Sequence, residues 1–403
     1  MGKAPKALLL EGIHPVAKAK MEEKGFEVEL ISDSLGESEL AKTLKDYSYL
    51  GLRSKTKVTK KVFSENPQLE GVGCFCIGTD QVDLNTAKSL GVPVFNSPYS
   101  NTRSVAELVL CEIVALSRHL GDINTLAHQG TWKKSAKDNH EVRGKTLGII
   151  GYGHIGSQVS ILAEAFGLNV IYFDIVKKLP LGNATPCESM DEVLSTSDFV
   201  TLHVPDTSET RELIKEPEIS KMKKGSYLLN LSRGKVVAIP ALKSAIESGQ
   251  LRGAAVDVYP AEPKSNDEKF ESELQGLSNL ILTPHIGGST EEAQESIGIE
   301  VSSAMSGFLE TGSTGGSVNF PALAVSRPKG RHRLINVHKN VPGVLSDINS
   351  IVSSSGVNIL SQQLSTDPDI GYLIMDMDEG EPDQISDQVQ KLDASIRTRV
   401  IYP

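Results

Sequence analysis

The chain has 403 residues, of which 39% are hydrophobic and 23% charged, with a formal net charge of -10. That length allows two or three domains. The acidic balance argues against nucleic acid as a partner, and no apolar run is long enough to span a membrane, but a local basic cluster can still hold an anionic substrate. At the N-terminus, Lys3 and Lys6 precede a short apolar patch that Glu11 ends before a signal-peptide core can form, so a cytoplasmic protein is expected. Cys74, Cys76, Cys111 and Cys187 have neither zinc-ligand spacing nor a disulfide framework and read as thiols in a reducing compartment, with no metal implied.

In chain order, strand-like segments at 7–10, 27–30, 49–52, 73–76 and 92–95, with helical patterns between several of them, make residues 1–100 a first α/β unit. A helix over 104–119 follows, then a polar arm containing Trp132, Lys133 and Lys134. Next comes TLGIIGYGHIGSQVSILAEAFGLNVIYFD, in which a strand (146–150) runs into Gly151, Gly153 and Gly156, then a helix (157–166), then a strand ending at Asp174. A bare GxGxxG is weak, but in this setting the three glycines serve in turn a sharp turn, a close approach to a pyrophosphate, and tight helix–strand packing. The pyrophosphate would rest on the helix N-terminus, and Asp174 would accept the adenosine ribose hydroxyls and repel a 2′-phosphate, which favours NAD over NADP.

Further strands at 199–204, 227–231, 253–258 and 280–283 continue a parallel sheet. The glycine motif lies far from the N-terminus, so the nucleotide domain is read as inserted in the first unit, with a helix at 290–309 returning to complete that unit. A Gly/Ser/Thr-rich stretch from Thr311 to Ser317, with Pro321 and Pro328 beyond it, reads as a linker. The tail runs strand (333–338), helix (343–354), strand (358–364), strand (372–377), helix (383–392), strand (396–402), the βαββαβ order of ferredoxin-like domains. The expected fold is therefore α/β: a Rossmann-type nucleotide domain (101–287) inserted in a flavodoxin-like α/β substrate domain (1–100 and 288–312), then a linker (313–330) and a ferredoxin-like domain (331–403).

Reacting groups are expected at the C-terminal ends of the parallel strands. Arg233, in NLSRG, offers a planar fork for a carboxylate. His285, in TPHIGGS, is a natural base for the proton that an alcohol loses as its hydride departs, and Glu262, in DVYPAEP, would orient the imidazole and raise its pKa. Taken singly, each has a bland reading as a cap, an ion pair or a solvated acid, whereas three together at strand ends of one Rossmann unit point to chemistry. The cofactor set comprises Gly151, Gly153, His154, Ile155, Gly156 and Asp174, with Leu231, Ser232, Asp257, Gly287 and Gly288 at the other strand ends. Tyr152 and His154 are read as touching cofactor phosphate or solvent, and His203 as structural or cofactor-proximal. Arg53, Ser54 and Lys55 follow a strand and suit an anionic substrate, and Asn101, Thr102 and Arg103 add polar groups at the domain junction.

GYGHIG with Asp174, NLSRG, DVYPAEP, TPHIGGST, GLRSKT, GCFCIGTDQVDL and FNSPYSNTRSVAEL together resemble the D-2-hydroxyacid dehydrogenase family, from about Leu8 to the C-terminus. GLRSKT, CFCIGTDQVDL and the tail resemble its phosphoglycerate-oxidising branch. The resemblance implies NAD-dependent oxidation of 3-phospho-D-glycerate to 3-phosphohydroxypyruvate, the first step of L-serine biosynthesis, with Arg233, Glu262 and His285 as the catalytic set. It also implies that Arg53 and Ser54, with Lys55 and Arg103, bind phosphate and carboxylate; Lys55 stands where relatives often carry Arg, and Asp80 where Asn is frequent. The arm with Trp132 and Lys134 resembles a segment that reaches a neighbouring subunit, where a lysine completes the partner's site in a homotetramer. The tail resembles an ACT domain, implying feedback inhibition by serine bound at His338, Asn340 and Asn358 between paired domains. Two other readings share the catalytic motifs: a dehydrogenase for another 2-hydroxy acid, including 2-oxoglutarate reduction, and a non-catalytic NAD-sensing corepressor.

Overall fold

Why the chain folds as two interleaved units is visible in a computed structural model, which describes residues 4–263, 267–378 and 380–403; Lys3 of the N-terminal basic pair lies outside them. One compact unit is Asn101–Ala293, and the other is formed by the segments on either side of it.

In the flanking unit, β1 (Lys6–Leu9), β2 (Glu27–Leu30), β3 (Tyr49–Leu52), β4 (Gly71–Cys74) and β5 (Val94–Asn96) form a parallel sheet in the order β2-β1-β3-β4-β5. That is the flavodoxin order. β3 and β4 are buried along their whole length, as expected for parallel strands covered on both faces. β4 starts two residues earlier than the apolar run suggests, because small residues place helix and sheet in contact: a Cβ on Gly73 would lie 2.5 Å from Met305 Sδ and 2.7 Å from Val301 Cγ1. Both belong to the helix Glu291–Thr311, which returns to cover this sheet.

In the central unit, β6 (Thr146–Ile150), β7 (Asn169–Phe173), β8 (Thr185–Pro186), β9 (Phe199–Leu202), β10 (Ser226–Asn230), β11 (Leu251–Val256) and β12 (Leu280–Leu282) pair in parallel. Their order is β12-β11-β10-β9-β6-β7-β8, so the chain reverses direction of assembly at β6, a switch point of the kind beside whose strand C-termini ligands bind in open α/β sheets. The helix Thr102–Ser117 buries Val105, Val109, Ile113 and Leu116 against this sheet, one face of a 3.6-residue repeat. A second helix, Leu120–His128, precedes the polar arm and has no buried residue, which is why periodicity did not signal it. The central compact unit runs to Ala293. Ser104 and Thr290 share a hydroxyl hydrogen bond of 2.8 Å, and a Cβ on Gly288 would lie 2.4 Å from Asn101 Nδ2.

The tail consists of β13 (His332–Lys339), β14 (Ile359–Thr366), β15 (Ile370–Met377) and β16 (Ser395–Ile401), antiparallel in the order β14-β15-β13-β16, with helices Val344–Ser354 and Pro382–Gln390. It is packed on the first sheet rather than tethered to it: Ile335, Val337 and Tyr372 share one core with Phe95, Met305 and Phe308. Arg397 donates to the Leu69 carbonyl at 2.6 Å, and Arg399 stacks 4.1 Å over the Phe308 ring. The expected linker 313–330 is likewise held down. Asn319 Oδ1 accepts from Val94 N–H at 2.8 Å, its amide donates to the Val92 carbonyl, and Thr314 donates to the Pro321 carbonyl. Composition alone cannot distinguish a tether from a segment whose small side chains let its backbone lie against a sheet. Among the described residues no helix is long and apolar enough to cross a membrane.

Candidate active site

After β6 the chain turns at Gly151, whose φ of 94 is left-handed and where a Cβ would lie 2.3 Å from the His203 carbonyl oxygen. A Cβ on Gly156 would lie 2.2 Å from the Gly151 oxygen, so helix and turn close on one another only with glycine there. Gly153 differs: a Cβ would meet nothing within 4 Å, and this residue caps the helix His154–Ala165 without any side-chain hydrogen bond. The middle glycine thus leaves open space at the positive end of a helix dipole, a cradle suited to a pyrophosphate. His154 is exposed and Ile155 half-buried in that first turn.

Asp174 directly follows β7 and accepts the Tyr152 and Val176 N–H groups, each at 2.8 Å, one on each carboxylate oxygen. Each oxygen keeps a second lone pair for a ribose hydroxyl. The Tyr152 side chain does not face phosphate or solvent. Its ring is buried, stacks on Tyr172 with centroids 3.7 Å apart, and its hydroxyl meets Ser160 Oγ at 2.7 Å, because the residue after the first glycine turns inward beneath the helix. His203 is half-buried, with Nε2 3.0 Å from Thr201 Oγ1, and desolvation of its ring lowers its pKa to about 3, which keeps it neutral.

Three more strand ends carry the expected reacting groups. Beyond β10, Asn230 Oδ1 accepts the Ser232 N–H and hydroxyl while its amide donates to the Arg233 carbonyl at 3.0 Å, folding Leu231–Arg233 into a fixed turn. Leu231 and Ser232 are buried in it, and the half-buried Arg233 spends one N–H on the Ser232 carbonyl. Beyond β11, Asp257 is buried and accepts the Thr283 hydroxyl at 2.6 Å and the Ile286 and Gly287 N–H groups at 2.8 Å each. Its carboxylate therefore builds the loop after β12 that carries His285, Gly287 and Gly288. In that loop His285 has a φ of 55, a strained left-handed conformation for a residue with a side chain.

His285 Nδ1 lies 2.9 Å from Glu262 Oε2, and Glu262 Oε1 accepts the Tyr259 N–H at 3.1 Å. The hydrogen bond to Glu262 raises the His285 pKa; burial opposes this, and the charges of Glu262 and Asp257 add to it. Burial acts to raise the Glu262 pKa, yet it is lowered overall by the hydrogen bond and charge of His285, the Tyr259 N–H and the charge of Arg233. One ring nitrogen is thus fixed by a carboxylate, and the other is left for a substrate, beside a guanidinium that acts electrostatically on both partners.

The remaining expected residues are distributed as follows. Asn101 Oδ1 and Thr102 Oγ1 are buried without hydrogen-bond partners among the described residues, whereas Arg103 is exposed and pairs with Glu107 at 2.6 Å. Trp132 is 90% exposed on the arm, and Lys134 is exposed beside it. In the flanking unit Arg53, Ser54 and Lys55 leave β3 as a turn, with Ser54 and Lys55 exposed. Sequence reasoning missed Glu112, a buried acid in the helix Thr102–Ser117 with no partner on either oxygen among the described residues, which burial and the Asp257 charge hold at a pKa of about 8. A lone Glu in an amphipathic pattern carries no signal of burial.

Residues 110–287 match the model of the D-isomer-specific 2-hydroxyacid dehydrogenase NAD-binding domain, and residues 334–397 that of an ACT domain like the acetohydroxyacid synthase small subunit's. The chain is 58% identical to D-3-phosphoglycerate dehydrogenase of Dictyostelium discoideum over 98% of this chain and 97% of that one. It is 48% identical to the Haemophilus influenzae enzyme of the same name, again over 98% and 97%. The chain belongs to the D-3-phosphoglycerate dehydrogenase family. Among solved structures it resembles the Thermus thermophilus protein TT0316, with a TM-score of 0.71 and 30% identity over 78% of this chain and 99% of that one. It also resembles D-lactate dehydrogenase from Aquifex aeolicus complexed with NAD and lactic acid, with a TM-score of 0.68 and 29% identity over 78% and 100%. Its central unit is an NAD-binding domain, and the residues around Gly153 and Asp174 fit that cofactor.

In the ACT domain of this D-3-phosphoglycerate dehydrogenase family member, the three expected effector residues differ in setting. Asn340 and Asn358 are exposed, and Asn340 donates to the Asp367 carbonyl at 2.7 Å. His338 is buried, with Nδ1 2.9 Å from Asn336 Oδ1, and burial lowers its pKa, so the imidazole is neutral. Its ring lies over Gly371, where a Cβ would stand 2.2 Å from Nε2.

Proposed function

We propose that this enzyme oxidises the 2-hydroxyl of 3-phospho-D-glycerate to 3-phosphohydroxypyruvate with NAD, as the names of its relatives suggest. The observation that carries the reading is the His285–Glu262 contact of 2.9 Å at the end of a strand in an NAD-binding sheet. His285 Nε2 takes the hydroxyl proton while Glu262 holds the imidazolium that forms. Arg233 grips the substrate carboxylate and stabilises the developing C2 carbonyl oxygen. The hydride leaves C2 with its electron pair for the acceptor that NAD would supply when bound. The first turn from Gly153 to Gly156 would hold the cofactor's pyrophosphate and Asp174 its ribose, with Leu231 and Ser232 as further holding residues, while Asp257, Gly287 and Gly288 shape the loop after β12. Arg53, Ser54 and Lys55 of the flanking unit, and Asn101, Arg103 and the arm's Lys134 of the central unit, are assigned to the substrate's anionic groups.

Serine is proposed as an allosteric inhibitor acting at the ACT domain, with Asn340 and Asn358 at its surface and His338 shaping it from within. β14 supports an assembly of paired domains: it is an edge strand that leaves Leu360 and Leu364 exposed, consistent with a homotetramer. The proposed location is the cytoplasm. NADH production from 3-phosphoglycerate, measured with and without serine, tests both parts. Equal turnover of a phosphate-free 2-hydroxy acid would reject the substrate, and serine-independent rates would reject the effector.

A further inference from the structure

The turn that follows β3 has no secondary structure of its own, yet its backbone is fixed from two sides. Glu11 uses both carboxylate oxygens on it: Oε2 accepts the Lys55 N–H at 3.0 Å and Oε1 the Thr56 N–H at 2.7 Å. From the other side Gln81 Nε2 donates to the Arg53 carbonyl at 2.6 Å and to the Gly78 carbonyl at 3.3 Å. The backbone of the same loop extends the grip, with Val58 N–H on the Gln81 carbonyl at 2.8 Å and Asp83 N–H on the Val58 carbonyl at 2.9 Å. Thr56 is wholly buried between these supports, while Ser54 and Lys55 remain exposed.

Glu11 is itself held in an unusual conformation. Its φ is 63, in the left-handed region that a residue with a side chain occupies only where its surroundings over-determine it. The surroundings are Leu10 N–H on the Gly51 carbonyl at 2.9 Å, Glu11 N–H on the Asp33 carbonyl at 3.2 Å and Gly12 N–H on the Ile31 carbonyl at 3.3 Å. A carboxylate is also electrostatically adverse here, since its charge opposes any anion that Arg53 and Lys55 attract. What it provides instead is geometry, through two charge-assisted bonds to successive N–H groups.

We propose that Glu11 and Gln81 are positioning residues for the anionic end of the substrate, holding Arg53–Thr56 so that its remaining donors are already arranged before the phosphate arrives. This rests on the assignment of Arg53, Ser54 and Lys55 to substrate binding made above. Preorganisation spares the ordering cost of the turn and its long side chains, so the effect belongs in substrate binding rather than in the chemical step.

The sign of one substitution separates geometry from field. Glu11→Gln removes the adverse charge but places an amide NH2 where an N–H needs an acceptor. Positioning therefore requires KM for 3-phosphoglycerate to rise, by about tenfold, with kcat within about threefold and KM for NAD unchanged. Gln81→Leu, which loses the donor to the Arg53 carbonyl without altering charge, is expected to do the same and decides the matter if the Glu11 variant fails to fold. Glu11→Asp keeps the charge with shortened reach and is expected to fall between wild type and Glu11→Gln. A KM that falls or stays constant in folded Glu11→Gln and Gln81→Leu overturns the inference. Arg53→Ala serves as the reference: a raised KM there with unaffected Glu11 and Gln81 variants rejects positioning alone, whereas an unchanged KM rejects both positioning and the role of the turn.

Discussion

His285 Nδ1 and Glu262 Oε2 stand 2.9 Å apart, and this contact sets the protonation state of both groups. It raises the His285 pKa and lowers that of Glu262, so the ion pair forms between the two values. As a base in the oxidation, His285 must be neutral, and the rate should climb as pH rises through its raised pKa. In Glu262→Gln that pKa falls, so the acid limb of kcat/KM moves to lower pH. The plateau drops by about a hundredfold or more, because the imidazolium formed in the transition state has lost its counter-charge. An acid limb at its wild-type position in this variant would show that another group titrates.

The same pair has a thermodynamic signature. Glu262, with its depressed pKa, contributes stability above the ordinary carboxylate range and loses it as pH falls through its folded value. His285, with its raised pKa, contributes below the ordinary imidazole value and loses it as pH rises through its folded value. Replacing either residue should therefore narrow the thermal stability difference from wild type outside that window, with the largest difference near pH 6, a comparison that thermal unfolding at several pH values resolves.

Glycine substitutions should separate cofactor binding from folding. Gly156→Ala places a Cβ 2.2 Å from the Gly151 oxygen and is expected to lower Tm, whereas Gly153→Ala meets nothing within 4 Å and should leave Tm within a few degrees. Gly153→Ala should nonetheless weaken NADH binding, since the added methyl enters the space over the helix N-terminus. Fluorescence titration with NADH checks this, and wild-type affinity in a folded Gly153→Ala protein would remove the pyrophosphate from that turn.

The parallel strands, the inserted nucleotide unit and the His285–Glu262 pair were legible because they depend on local signals: apolar strands, glycine spacing, and polar residues at strand ends. Tyr152 was misread because polarity at the ring tip does not report which way a turn directs it; Ser160, one helical stretch later, receives its hydroxyl. The packed linker and Glu112 were illegible for a related reason. Asn319 binds backbone groups more than two hundred residues earlier in the sequence, and the burial of Glu112 depends on a sheet assembled from distant strands. Long-range burial leaves no periodic trace at the buried residue itself.

Glu112 should make the enzyme less stable at high pH. Its folded pKa of about 8 lies above the ordinary 4.5, so the folded state holds a proton that the unfolded state releases, and stability falls as pH rises from 4.5 to about 8. The cost at the top of that range is on the order of a few kcal/mol. Glu112→Met, apolar and of similar length, should match or exceed wild-type Tm at pH 8 and lose that advantage toward pH 5. A wild-type Tm as insensitive to pH as that of the variant would mean that Glu112 finds a partner when it ionises.

Arg333 and Asp376 form a buried ion pair, with Nε–Oδ1 at 2.6 Å and exposures of 0% and 2%. Arg333 also donates to the carbonyls of Thr311 at 2.8 Å, Val325 at 3.2 Å and Ser326 at 2.9 Å, so one guanidinium joins β13 and β15 to the end of the helix Glu291–Thr311 and to the segment after it. Taking both charges out of water costs nearly as much as their attraction returns, so the pair as a whole contributes little net stability, whereas removing one member strands the other. Asp376→Ala should therefore destabilise the protein by about 3–5 kcal/mol, because it leaves a buried cation without its counter-charge. Arg333→Met should cost less, since the stranded Asp376 carboxylate can become neutral by taking up a proton, although the released carbonyls lose their donor. The double variant Arg333→Met with Asp376→Leu should recover part of the loss from Asp376→Ala. Urea unfolding of the three proteins measures this order, and an Asp376→Ala loss below about 1 kcal/mol would indicate that water reaches Arg333.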